Sequence, residues 1–189
     1  MQTALHASAT RTGHQSVVIG TSATPVFYDD VDAQAASLHG WNQYYVQLSS
    51  GAFKGSMQRL SLDGVNMFIE DLHQTIHQTG MVRTDVVAIG IPLYFSGNSR
   101  FCGQTGSGAE LHIFSGAQGF EFHSPQRHTM LGIEIDRPLF DSITADDFAP
   151  ESNLPAQAGL SAVEPAAANA LEIIGPKPVQ DIIQRSLRP

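Results

Sequence analysis

Cysteine, lysine and positive charge are all scarce in this chain. One cysteine, Cys102, excludes an internal disulfide framework, and a reducing, cytoplasmic setting is the simple expectation. Lys54 and Lys177 are the two lysines, and 10 Lys+Arg against 18 Asp+Glu give a formal charge of −8. Phosphate binding needs a basic face, so the chain is not expected to grip nucleic acid unaided. Charged residues make up 15%, low beside about 25% in an ordinary domain. No run of about 18 consecutive apolar residues occurs, so no membrane span is expected. Residues 1–15 lack an apolar core and a cationic start, so they are not a secretory signal and read as a mobile extension. What is present is 189 residues, 42% of them hydrophobic. That suits one domain with a core of its own.

The pattern along the chain divides it at residue 136. Residues 29–41 predict a short helix, capped by Asp29 or Asp30 and stopped near Gly40. Before it, residues 15–19 and 25–28 read as short extended pieces. From 42 to 136 the signal is β. Residues 44–48, 57–62, 65–71, 85–93, 111–114, 120–123 and 129–136 are strand-like runs. Asp63-Gly64 between two of them predicts a hairpin, with both residues tolerating positive φ. Residues 72–78 are expected to prolong the strand after that turn, and 111–114 with 120–123 to form a second hairpin. Seven or eight such strands fit an antiparallel barrel or two-sheet roll. Residues 16–136 are therefore assigned to that β unit. Residues 137–189 are read as helical, with helices near 138–143, 164–174 and 179–187. The apolar faces of 138–143 and 179–187 are candidates for a dimer contact. The expected class is mainly β with flanking helices (α+β).

Candidate chemistry is sparse. The glycines between Gly90 and Gly119 match neither phosphate-loop pattern and read as turns. His73 and His77 share a face, but on a strand they lie about 13 Å apart and cannot share a metal. His112, His123 and His128 fall near successive strands, and a small barrel could aim them at one metal with Glu121 or Glu134. The nearest string, His123 to His128, fails the His-x-His-then-Glu spacing common in cupin metal sites. No metal or other cofactor is therefore expected, and the histidine trio stands as the alternative. Cys102 has no local signature of a catalytic thiol, and no GxSxG elbow occurs. The acidic series Glu134, Asp136, Asp141, Asp146, Asp147 and Glu151 reads as a solvated helical face rather than acid/base machinery. No catalytic residue is assigned, and the chain is read as a non-enzyme. A barrel of about eight strands has room for side chains or one small ligand. Tyr45, Met57, Phe68, Phe114 and Phe122 are the candidate ligand-facing residues.

Residues 41–93 carry a further pattern: an aromatic-x-Gln-Leu-Ser-x-Gly-x-Phe-x-Gly segment, a hairpin, His-Gln-x-Gly and Gly-x-Pro-Leu. Its residues are Gln47, Leu48, Ser49, Gly51, Phe53, Gly55, His77, Gln78, Gly80, Gly90, Pro92 and Leu93. This resembles the N-terminal sensory domain of AraC-type transcriptional regulators. The resemblance covers roughly half the chain, and its motifs are structural rather than catalytic. It implies a cupin-like β-barrel that binds a small effector, followed by helices that mediate homodimerisation. It also implies a C-terminal domain with two helix-turn-helix units, which would read DNA and is absent from these 189 residues. Residues 137–189 are acidic and proline-broken, unlike a recognition helix. The expectation is thus a sensing and dimerisation piece, cut before its DNA reader, with a stand-alone binding module or a small metal-dependent cupin enzyme as alternatives.

Overall fold

The computed structural model of the protein describes residues 20–147 and 157–162. The expected extended piece at 15–19, the extension 1–15 and the helices near 164–174 and 179–187 lie essentially outside these residues. Among the described residues, no helix is long and apolar enough to cross a membrane.

The chain builds two antiparallel sheets and two short helices. Strand β1 is Gly20–Tyr28 and is followed by helix α1, Val31–Ala35. Then come β2 (Asn42–Gln47), β3 (Gly55–Leu62), β4 (Val65–Leu72), β5 (Ile76–Met81) and β6 (Val86–Phe95). Short strands β7 (Ser99–Phe101), β8 (Gln104–Gly106), β9 (Leu111–Phe114) and β10 (Phe120–His123) precede β11 (His128–Asp136). Helix α2 (Arg137–Asp147) and β12 (Gly159–Ser161) complete the set. The larger sheet has the order β1-β3-β4-β11-β6-β9-β12 and the smaller β2-β5-β10-β7-β8. Two separately hydrogen-bonded sheets replace the closed barrel among the options. The mainly β, antiparallel expectation is met, and α2 is the one described helix that follows the sheets.

Local sequence explains most elements. Asp30 caps α1 by accepting from the Ala33 amide at 2.7 Å, but the helix ends at Ala35 and is shorter than 29–41. The Asp63-Gly64 hairpin forms with Leu62 opposite Val65. Gly64 alone of the pair takes positive φ, 72°, so the turn asks less of Asp63 than expected. In β2 the inward residues are Gln43 and Tyr45, while Asn42, Tyr44 and Val46 face outward. This is the period of a half-buried strand.

Two strand expectations are overturned. Residues 72–78 do not continue β4; the chain leaves the larger sheet after Leu72 and enters the smaller one at Ile76. The buried Gln74 turns it, accepting from the Lys54 amide at 2.8 Å and donating to the Ala52 carbonyl at 2.8 Å. Nor do 111–114 and 120–123 form a hairpin. Strand β9 joins β6 in the larger sheet and β10 joins β5 in the smaller. Phe114 and Phe120 instead meet edge-to-face across the gap, 4.8 Å apart at 87°. Strand β12 was unforeseen: it pairs with β9, in a stretch bounded by Ala- and Pro-rich sequence.

The core fills the space between the sheets. Met57, Phe68, Phe114 and Met130 of the larger sheet pack with Phe101, Phe120 and Phe122 of the smaller. Trp41 seals one side, edge-on to Phe68, Phe114 and Phe120. A second, smaller group with Ala35, Tyr45, Phe53, Leu72 and Ile76 lies under α1. Leu60, Ile69 and Leu131 form a further apolar group on the other face of the larger sheet.

Phe68 lies flat over Gly132, its register partner on β11. A Cβ at Gly132 would meet three Phe68 ring atoms at 2.1–2.4 Å. Gly132→Ala is expected to destabilise the fold by roughly 3 kcal/mol through overpacking, read from urea unfolding. Unchanged stability would mean the ring has room to move.

Candidate functional site

The space between the sheets has a polar end and an aromatic end. At the polar end, the buried carboxylate Glu70 on β4 accepts from Tyr45 Oη at 2.9 Å and Gln34 Nε2 at 3.0 Å. Tyr45 Oη in turn accepts from Gln78 Nε2 at 3.0 Å and Gln43 Nε2 at 3.2 Å. Gln78 Nε2 also donates to Gln43 Oε1 at 2.9 Å, and Gln43 Nε2 to the Ala35 carbonyl at 3.1 Å. The phenol oxygen thus uses its one donor and both lone pairs. Burial raises the Glu70 pKa above the usual carboxylate range, against the lowering by its hydrogen bonds. Burial, then the neighbouring Glu70, raises that of Tyr45 well above 10. This chain holds its groups in place and leaves one acceptor, Gln34 Oε1, without a partner.

The aromatic end differs. His112 on β9 and His128 at the start of β11 are 0% and 1% exposed. Both touch the rings of Phe95 and Phe122, and His112 stacks on Phe101 at 4.6 Å. Both nitrogens of His112 and Nδ1 of His128 have no hydrogen-bond partner, while His128 is bonded to the Pro125 backbone. Desolvation lowers both pKa values to about 4, against smaller opposing pulls from Glu110 on His112 and Asp71 on His128. Both imidazoles are therefore neutral at pH 7, each with one N–H and one acceptor nitrogen. Unsatisfied buried polar atoms cost about 1–3 kcal/mol each, so three in one packed aromatic cluster need a reason.

The structure sorts the residues singled out above. Met57, Phe68, Phe114 and Phe122 share the main core cluster, and Tyr45 belongs to the second and to the polar chain. All five point between the sheets. The histidine trio does not converge: His112 and His128 face inward, whereas His123 follows the inward Phe122 on β10 and faces out. One metal held by all three is thereby excluded, because a sheet separates them. His73, in the link to β5, pairs with Asp71 at 2.8 Å instead of His77. In the acidic series, Glu134 is not on a solvated helical face. It lies on β11, is 9% exposed, accepts from Trp41 Nε1 and has its pKa raised by burial. Burial likewise raises the Cys102 thiol, which disfavours the thiolate.

A cleft of about 650 Å³ opens on the smaller sheet, walled by Asn42, Tyr44, Thr79, Glu121, Gln118 and Gln157 among others. None of the five predicted ligand-facing residues lines it. Sequence reasoning missed Gln34, Gln43, Glu70 and Gln78, since buried glutamines leave no mark in hydropathy. It also missed His77 as a partner of His123.

No protein-family model matches the chain. Among solved structures, the chain is similar to the EutQ protein of Clostridium difficile, with 11% identity and a TM-score of 0.34 over 59% of this chain and 94% of that one. It is also similar to a glyoxylate-induced protein of Pseudomonas aeruginosa, with 10% identity and a TM-score of 0.35 over 79% of this chain and 54% of that one. The chain thus spans about half the length of the second structure. At these scores the likenesses carry no chemistry, and the architecture rests on the strand pairing itself.

Two outcomes follow for the interior. The folded-state pKa of each buried histidine lies below its unfolded value of about 6.5, so the unfolded chain binds more protons between the two. Stability is fully present above about pH 6.5 and is lost as the pH falls towards 4, by up to roughly 3 kcal/mol per histidine. In chemical denaturation across that range, His112→Leu should flatten the loss; an unchanged slope would refute the assignment. Tyr45→Phe should cost about 2 kcal/mol, since Glu70, Gln43 and Gln78 each lose a buried partner. A neutral result would show that the chain re-pairs without the phenol.

Proposed function

We propose that this chain is a non-catalytic, small-molecule-sensing domain of a transcription regulator of the AraC type. A small effector is received between the sheets beside His112 and His128. The observation that carries this reading is the set of three unpartnered nitrogens on two fully buried, neutral imidazoles. A ligand there needs a flat or apolar body to sit among Phe95, Phe101 and Phe122. It also needs at least one donor or acceptor for the imidazoles. It is uncharged, because neutral imidazoles in an apolar chamber do not offset an ionic group.

The regulatory part of the reading rests on the pattern in residues 41–93. Gln47 bonds the Ser49 and Gly51 carbonyls at 2.7 Å, and Ser49 Oγ accepts from the Thr75 amide at 3.0 Å. These residues order the β2–β3 connection, in keeping with a motif that serves a cupin-like fold rather than chemistry. The route from effector to output is short. His128 opens β11, and α2 begins at Arg137, the next residue after β11 ends. Leu139 of α2 rests on the β3–β4 turn, since a Cβ at Gly64 would lie 2.7 Å from its Cδ2. A ligand that shifts β11 would bias α2, and in a homodimer would bias the spacing of attached DNA readers. DNA contact belongs to residues beyond this chain, and the setting is cytoplasmic.

Thermal-shift screening and calorimetry against small uncharged aromatic and heteroaromatic compounds test the sensing role. A binder should raise the melting temperature of the wild type, and His112→Leu should abolish its effect. A binder indifferent to both histidines would move the site elsewhere. The coding sequence beyond residue 189 tests the regulatory role. Two helix-turn-helix units within roughly a hundred residues are expected, and a stop codon or unrelated fold there would overturn it.

A further inference from the structure

The outer face of the smaller sheet carries a cluster independent of the interior chamber. On β5 and β10, His77 and His123 are direct register partners, and Glu121 is two residues before His123. Inward-facing Gln78 and Phe122 alternate with them, so all three project to the outside. The two imidazoles stack, with centroids 4.2 Å apart and planes at 12°. Both turn Nε2 towards one carboxylate oxygen: Glu121 Oε1 lies 2.9 Å from His77 Nε2 and 3.2 Å from His123 Nε2. Ligand atoms of the three residues all fall within 4.8 Å of one another.

We infer that His77, Glu121 and His123 form a surface site for a divalent transition-metal ion of the zinc type. The donor set is two imidazole nitrogens and one carboxylate, which selects Zn²⁺ and its neighbours over Mg²⁺ and Ca²⁺. Zinc holds nitrogen and oxygen at about 2.0–2.2 Å. Tetrahedral ligands are then roughly 3.3–3.5 Å apart, so the two imidazole–carboxylate separations, 2.9 and 3.2 Å, need to open by only a few tenths of an ångström. Three protein ligands leave a fourth position open. Side-chain exposures of 29%, 51% and 39% for His77, Glu121 and His123 leave the site accessible from solvent.

The surroundings set the affinity. Arg100 is the register partner of His123 on β7, is exposed, and stands on the same face as a repelling cation. Val46 is the partner of His77 on β2 and brings no charge. The two flanking strands therefore supply one opposing charge, against one carboxylate within the site. Glu121 also belongs to the cleft wall, so the ion would sit at the cleft margin. It would join β5 to β10, a strand of 4 residues, by a cross-strand bridge.

The test uses untagged full chain, stripped with chelator and titrated with Zn²⁺ by calorimetry, and with Co²⁺ by visible absorption. One ion per chain is expected, with a rise in melting temperature on addition. His77→Ala and His123→Ala should each weaken binding by about tenfold or more, and Arg100→Ala should strengthen it. His73→Ala should change nothing. Circular dichroism of each variant reports retained folding, which these outward-facing positions favour. Absence of binding by wild type overturns the site. So does binding lost in His112→Leu but kept in His77→Ala, which would place the ion between the sheets.

Discussion

The hydrogen bond from Tyr45 to Glu70 is the constraint on which the sandwich turns. It crosses the gap between the two sheets, and through Gln34 it also ties down α1. A buried carboxylate is tolerable only while its lone pairs are occupied. Two glutamine amides occupy the Tyr45 lone pairs, and its one proton goes to Glu70. The chain therefore acts as a unit: each member is positioned by the next, and a partly satisfied version would be worse than an apolar one. Glu70 links the sheets at one end, and the rest of the space between them is packed with aromatic side chains.

That division gives the two ends different characters. The polar end is closely hydrogen-bonded, with Gln34 Oε1 its one unpartnered atom among the described residues. The aromatic end combines large rings with three imidazole nitrogens that lack partners, a combination that wastes binding capacity unless something uses it. Trp41 and Glu134 stand at a third margin, where an indole-to-carboxylate bond joins the segment after α1 to β11. Strand β11 touches every part of this arrangement. It begins at His128, carries Met130 in the core and Gly132 beneath Phe68, and ends beside Glu134 at the start of α2. A displacement at either end is thus felt along one continuous strand.

The β character of the chain and its strand runs were legible because alternation and turn chemistry are local properties. The Asp63-Gly64 hairpin is the clearest case. The sheet to which each strand belongs was not legible. Residues 120–123 show the same inward-outward alternation in either sheet, so the choice made by the link 115–119 leaves no local signal. The departure at 72–78 depends on Gln74 bonding a loop about twenty residues away, which periodicity cannot register. Aromatic core residues such as Phe122 could be named from hydrophobicity alone, whereas the buried glutamines could not. The pairing of His77 with His123 exists only through the register of β5 and β10, two strands distant in sequence. Position near successive strands offers instead, as an alternative, a trio that the fold places on opposite faces.

The larger sheet is bounded by β1 on one side and β12 on the other. These strands come from near the two extremes of the described chain, one before α1 and one after α2. Each covers a neighbour, β3 or β9, whose outer row of backbone amides and carbonyls would otherwise be bare. Trimming the protein to its apparent middle would thus open both borders at once. The product would keep most of its core yet present two ready templates for strand addition. Loss of solubility, rather than loss of folding, would be the first sign that β1 and β12 serve as its borders.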